Sequence, residues 1–174
     1  MIVLKCMLLC LLPVGCFSQI TLARKTLLNN KVEIMAPEKL KQMTDEMFTL
    51  KYHRSNKPLM VLTDENAEVN LIADYTPQQL TDDRLYEYKT FQLEGLKKTH
   101  PELTVLDSAV STINGKKVGF FKFISQAIDQ KVFNYYFFTI IEGRVLLFSF
   151  NCIESLRPKW EKIADEIVAS VKMN

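Results

Sequence analysis

Residues 110–152, VSTINGKKVGFFKFISQAIDQKVFNYYFFTIIEGRVLLFSFNC, decide the fold. Asn114-Gly115 stands between the apolar runs 110–113 and 118–124, and Asn-Gly in that setting is the strongest short hairpin signal because both residues tolerate positive φ. A second pair of runs, 132–141 and 145–152, is joined through Glu142-Gly143, where glycine supplies the left-handed position of a short loop. Successive strand residues point to opposite faces. In 132–141 one face carries Phe133, Tyr135, Phe137 and Ile141, and the other carries Val132, Tyr136, Phe138 and Ile140. A half-solvated sheet would alternate apolar with polar residues. Apolar residues on both faces predict a central antiparallel sheet covered on each side, an α+β chain folded as a three-layer α/β/α sandwich.

C-terminal to this stretch, Trp160, Ile163, Ala164, Ile167, Val168 and Val171 recur at helical spacing after Ser155 and Pro158, with Lys159, Glu161, Lys162, Asp165 and Glu166 opposite. The pattern predicts a C-terminal amphipathic helix capped by Ser155 and lying on the sheet. Its polar face is mixed rather than cationic, which favours core packing over a membrane surface.

N-terminal to it, 31–35 alternates and stops at Ala36-Pro37, as a first strand would. A helix is expected from Pro37, with Leu40, Met43 and Met47 on one face. Residues 48–52 either extend it or turn into a short strand. A polar loop from His53 to Pro58 leads to a hairpin of 59–62 and 69–75 turning around Asp64-Glu65-Asn66. Thr76-Pro77-Gln78-Gln79 reads as a capped helix start. That helix runs to Lys98 with Leu85, Tyr88 and Leu96 inward and Phe91 and Leu93 on its flanks. A restart at Thr81-Asp82-Asp83 is the second option.

The first residues carry a compartment signal. Lys5, the apolar run 7–14, then Gly15 and Ser18 have the layout of a secretory signal peptide, which predicts residues 1–18 as a leader and 19–174 as a single domain in the periplasm or outside the cell. The apolar run is too short to span a bilayer, which takes about 20 residues. Leu12-Pro13-Val14-Gly15-Cys16 also resembles a lipobox, with Pro13 where an aliphatic residue is usual, so a lipid anchor at Cys16 is the alternative. With either cut Cys152 is the one thiol left in the domain, and no disulfide framework is expected. A mature chain of about 156 residues can build a sufficient core without one.

The 22 basic and 20 acidic residues include one basic residue in the leader, Lys5. The near-neutral remainder, with scattered charge, argues against nucleic acid as a partner. Lys97-Lys98 and Lys116-Lys117 are too short to be polybasic membrane patches.

The order of elements is similar to that of the PsbP-like and DcrB-like superfamily, in which an antiparallel sheet lies between helices. The residues that carry the resemblance are Val32-Glu33-Ile34-Met35-Ala36-Pro37, Ile113-Asn114-Gly115-Lys116-Lys117-Val118-Gly119 and the aromatic hairpin before the last helix. The Ser-Gln junction resembles the small exported envelope proteins of this group in Bacteroidetes-type bacteria. The resemblance implies an assembly factor, docking protein or chaperone-like adaptor. Photosynthetic members are linked to metal retention, and no ligand motif here matches that role.

Chemistry is sparse. His53 and His100 lack a carboxylate or second histidine at metal-ligand spacing, and no acidic loop spaces out the oxygens that calcium needs. Asp64-Glu65 and Asp82-Asp83 suit a turn and a helix start. No nucleophile elbow, phosphate loop or dinucleotide fingerprint is present. Cys152 ends an apolar strand, where burial suppresses the thiolate. The expectation is therefore no enzyme, cofactor or metal, but a module that binds an envelope protein through a Met-rich arm. Met43, Met47, Phe48, Tyr52, His53 and Arg54 are its candidate partner-binding residues, adaptable apolar side chains beside cationic ones. A carrier holding an apolar ligand between sheet and helix is the alternative, and a hydrolase without a recognisable motif the third reading.

Overall fold

The computed structural model describes residues 20–53 and 56–174. The leader, Cys16 and Arg54 lie outside the described residues. Seven antiparallel strands form the central sheet: β3 (Lys41–Gln42), β4 (Met60–Thr63), β5 (Val69–Gln79), β6 (Thr104–Ile113), β7 (Lys116–Gln126), β8 (Lys131–Ile141) and β9 (Arg144–Ile153). Their spatial order is β3-β4-β5-β9-β8-β7-β6. Both expected hairpins form, with φ values of +47° and +80° at Asn114 and Gly115 and of +50° and +73° at Glu142 and Gly143. These left-handed pairs match the right-handed twist of the strands they join.

Each face of β8 feeds its own core. Phe133, Tyr135, Phe137 and Ile141 pack with Trp160, Ala164, Ile167 and Val168 of the last helix, α3 (Arg157–Ala169). Phe138 and Ile140 pack with Leu85, Tyr88 and Leu93 of α2 (Leu85–Thr99). A smaller cluster on the α2 side joins Met43, Val61 and Ile72 to Phe48 of α1 (Asp45–Tyr52). The protein is thus an α/β/α sandwich. Within it the Phe137 and Phe148 rings stack at 4.8 Å and 7° across β8 and β9. Gly119, on β7, faces Phe138 across the ladder so closely that a Cβ there would meet the ring at 2.5 Å.

The α3 face is pinned by charge as well as by apolar area. Lys122 leaves β7 toward α3, where its Nζ lies 2.7 Å from Asp165 and 3.5 Å from Glu161, and 4.7 Å from the centroid of the Tyr135 ring. Arg157 Nε donates to Glu161 at 2.8 Å. Burial, and then the Asp165 carboxylate, push the Tyr135 hydroxyl well above its ordinary range.

Several expectations are corrected. Residues 22–27, unread in the sequence, form β1 (Leu22–Leu27), which pairs with β2 (Val32–Pro37). With β10 (Lys172–Met173) they make a separate three-stranded sheet on the α3 face, so the first expected strand is not part of the central sheet. No helix starts at Pro37. Leu40 N–H turns back to the Pro37 carbonyl, Met43 N–H joins the β4 ladder at Val61, and Thr44 caps α1 by accepting from Met47 N–H at 3.2 Å. Asp45 and Glu46 follow in the first turn, where the helix dipole favours them. Residues 48–52 are helical.

Thr76-Pro77 does not start a helix either, because β5 continues through it. β4 pairs with β5 only as far as Ala73, so Pro77 falls where β5 has a free edge among the described residues and its missing N–H costs little. Thr76 Oγ1 donates to the Val145 carbonyl at 3.2 Å, and Arg144 Nε donates to the Thr76 carbonyl at 3.0 Å. The helical segment begins instead with a 3-10 turn at Asp82–Arg84, the second option above. On α2, Leu93 is buried rather than on a flank, while Phe91 is 72% exposed. Ser155 lies inside a 3-10 turn, Glu154–Leu156, and does not cap α3.

Candidate functional site

The Met-rich arm divides between core and surface. Met43 and Phe48 are each 1% exposed and pack on Val61 and Ile72, so neither can meet a partner without opening the fold. This corrects the expectation that they belong to a binding surface: the short helix needs apolar anchors, since eight residues are too few to be stable alone. Met47 and Tyr52 are half-buried against the same cluster. His53 is exposed and ends α1 in the left-handed conformation, its N–H donating to the Thr49 carbonyl. What α1 and its C-cap show to solvent is Asp45, Glu46, Thr49, Leu50, Lys51 and His53, and Leu50 is 75% exposed. The Lys51 ammonium donates to the Ala67 carbonyl, and its burial lowers its pKa against the opposing pull of Asp64.

Between α1 and α2 the sheet carries a groove of about 240 Å³ lined by Tyr52, Ile72, Asp74, Tyr136, Leu147, Ser149 and Asn151. Strand register puts these groups on one face. Asn70, Asn151 and Asn134 form one rung across β5, β9 and β8, and Ile72, Ser149 and Tyr136 form the next. Asp74 lies a further rung along, opposite Leu147. The first rung is internally bonded: Asn70 Nδ2 donates to Asn151 Oδ1 and Thr63 Oγ1 donates to Asn70 Oδ1, both at 2.9 Å. Asn134 Nδ2 donates to Ser125 Oγ at 3.0 Å. Sequence reasoning named Tyr52 but missed the floor. The signal was the shared parity of Asn70 with Asp74, and of Ser149 with Asn151, which becomes a site only once the register is known.

The remaining polar candidates have local roles. Asp64 Oδ1 accepts from the N–H groups of Glu68 and Val69 at 2.8 and 3.0 Å, closing the β4–β5 turn. Asp82 opens the 3-10 turn and pairs with Lys116 at 3.6 Å. His100 ends α2. Cys152 is fully buried, and burial pushes its thiol up to about 12. Among the described residues no three His, Cys, Asp or Glu side chains converge as a metal site, and no helix is long and apolar enough to cross a membrane.

The fold is similar to that of solved PsbP-like proteins. No family model and no curated protein sequence matches the chain. Among solved structures it is similar to the cyanobacterial PsbP protein CyanoP from Synechocystis, with a TM-score of 0.63 at 11% identity over 94% of this chain and 99% of that one. LpqN of Mycobacterium tuberculosis, described as involved in cell envelope biogenesis, aligns with a TM-score of 0.59 at 11% identity over 89% and 91%. A Ran-binding protein of Saccharomyces cerevisiae aligns with a TM-score of 0.59 at 12% identity over 89% and 96%.

Proposed function

We propose that this chain is a non-enzymatic, exported module of the bacterial cell envelope. Residues 1–18 act as a cleaved leader, and the domain of residues 19–174 docks an envelope protein through the outer face of α1. The observation that carries the docking surface is the division of labour within α1. Met43 and Phe48 anchor the segment, leaving Leu50 projecting beside Lys51 and His53. An exposed leucine with a lysine beside it and a glutamate one turn earlier, on a firmly seated helix, suits transient recognition.

Two points support docking over carriage of an apolar ligand. The space between sheet and α2 is filled by Phe121, Phe138 and Ile140 against Leu85 and Tyr88, and the groove beside it has a polar floor. The fold is compatible with such a role, since one protein that shares it is described as Ran-binding and another as involved in envelope biogenesis; fold likeness carries no partner with it. The test compares proteins co-purifying from the native envelope with wild-type and Leu50→Glu chains. Loss of a defined partner at an unchanged melting temperature supports the reading. Equal capture by the folded variant overturns it. Intact mass tests export: a chain starting at Gln19 is expected, and an acylated Cys16 would replace the free form by a lipoprotein.

A further inference from the structure

The groove between α1 and α2 is separate from the docking face of α1 and does not depend on it. Its floor carries three polar side chains with unused hydrogen-bonding capacity among the described residues. Asn151 spends its Oδ1 on Asn70, and its Nδ2 makes no hydrogen bond with the described residues. Among the described residues Ser149 makes no side-chain hydrogen bond, and Asp74 has neither an ion pair nor a hydrogen bond. They stand on consecutive rungs of one sheet face, which are about 7 Å apart along the strands. The order along the groove is a donor amide, a hydroxyl that donates and accepts, and an accepting carboxylate. Ile72 and Leu147 add apolar floor, and Tyr52 and Tyr136 contribute aromatic rings.

This mixture discriminates among ligand classes. An acyl chain would leave the three polar groups without partners, which is costly on desolvation. A simple cation would use Asp74 and the rings but nothing of Asn151. An anion would be repelled by Asp74. A ring bearing several hydroxyls satisfies all three, because each hydroxyl both donates and accepts while the C–H face of the ring lies on apolar or aromatic side chains. The volume of about 240 Å³ is below the roughly 300 to 1,000 Å³ of sites for drug-sized ligands, and so suits one ring rather than a long chain. We propose that the groove floored by Asp74, Ser149 and Asn151 binds a monosaccharide unit, free or at the end of an envelope glycan.

The experiment titrates the purified, ¹⁵N-labelled protein separately with glucose, galactose, mannose and N-acetylglucosamine and follows backbone amide shifts. Saturable shifts in residues 72–75 and 147–151 with at least one sugar, at a dissociation constant in the millimolar range, are expected for a site with a few hydrogen bonds. Asp74→Ala should weaken that binding about tenfold or more, and Ser149→Ala about threefold to tenfold. Asp74→Asn, which keeps the shape of the side chain, serves if Asp74→Ala perturbs folding, with a weakening in the same direction. Leu50→Glu should leave sugar binding unchanged, which separates this site from the docking face. The proposal is overturned if none of the four sugars saturates the folded protein, or if both floor variants bind as well as wild type. Saturation by tetramethylammonium or lysine without saturation by sugars would assign the groove to a cation and likewise overturn it.

Discussion

The side-chain amide of Asn114 donates to the carbonyl of Val171 at 2.9 Å, tying the tip of the β6–β7 hairpin to the chain just beyond α3. The same amide donates to the Ala169 carbonyl at 3.0 Å, so it also satisfies one of the last carbonyls of α3, which have no partner within the helix. Asn114 therefore has two roles, since it also holds φ at +47° in the turn. Asn114→Gly keeps the backbone conformation and loses the clamp, at a cost of about 1 to 2 kcal/mol. Asn114→Ala loses the clamp and adds roughly 1 kcal/mol of left-handed strain. Denaturant melts of the two variants should rank them in that order, and equal stabilities would remove the turn contribution.

Gly119→Ala should destabilise the fold by about 1 to 3 kcal/mol, because the added methyl meets the Phe138 ring at 2.5 Å. The ring has little room to move: it is buried and packs edge-on against Tyr88 with centroids 5.0 Å apart. Thermal melts measure the loss, and an unchanged midpoint would mean that α2 yields easily.

Met43 and Leu50 should separate stability from recognition. Met43→Ser opens a cavity beneath α1 and places a hydroxyl in it, at a cost of about 2 to 4 kcal/mol. Leu50→Ser should change stability by no more than about 0.5 kcal/mol, because its side chain is already in water. Urea unfolding of both variants decides it, and a large loss for Leu50→Ser would place that residue in an interface within the fold.

Cys152 should make stability depend on alkaline pH. Burial, opposed in part by the Arg157 cation, raises the thiol from 9.0 to about 12. The folded state thus holds the proton more tightly than the unfolded chain. The contribution is full below pH 9 and is lost as pH rises toward about 12, at up to roughly 1.4 kcal/mol per unit. Denaturant midpoints measured across this window should fall more steeply for wild type than for Cys152→Ala. In the native protein at neutral pH a thiol reagent should modify Cys152 only as fast as the fold opens.

Replacing Phe137 by Ala should cost about 3 to 5 kcal/mol, the range for truncating a large aromatic in a rigid core. The ring is 1% exposed and stacked on Phe148 in the middle of the sheet. A loss below about 1 kcal/mol in denaturant melts would mean that the neighbouring rings collapse into the space.

The parts of the fold legible in the sequence are those whose signals are local and repeated. Asn114-Gly115 and Glu142-Gly143 needed only turn chemistry, and β8 declared its two buried faces through a run of ten residues in which both parities are apolar. The spacing from Trp160 to Val171 likewise fixed the inward face of α3 before any partner was known. Where two local signals competed, tertiary contacts decided. Thr76-Pro77 has the chemistry of a helix start, yet Arg144, Val145 and the free edge of β5 hold it extended. Pro37 can open a helix, yet Thr44 with its acidic neighbours does so seven residues later.

The candidate site shows the same limit more sharply. Hydrophobicity and charge singled out Met43, Met47, Phe48, Tyr52, His53 and Arg54, but amino-acid type does not say which side of a short helix faces inward; packing on Val61 and Ile72 settled that for Met43 and Phe48. The groove floor was out of reach because Asp74 and Ser149 are 75 residues apart in the chain and become neighbours only through the pairing of β5 with β9. Sequence alone therefore determined the layers, the β6–β7 and β8–β9 hairpins and the inward faces of β8 and α3, since periodicity and turn preference are properties of neighbouring residues. Only the tertiary structure decided which polar side chains share a surface, because that depends on strand register and on which contacts between distant segments win.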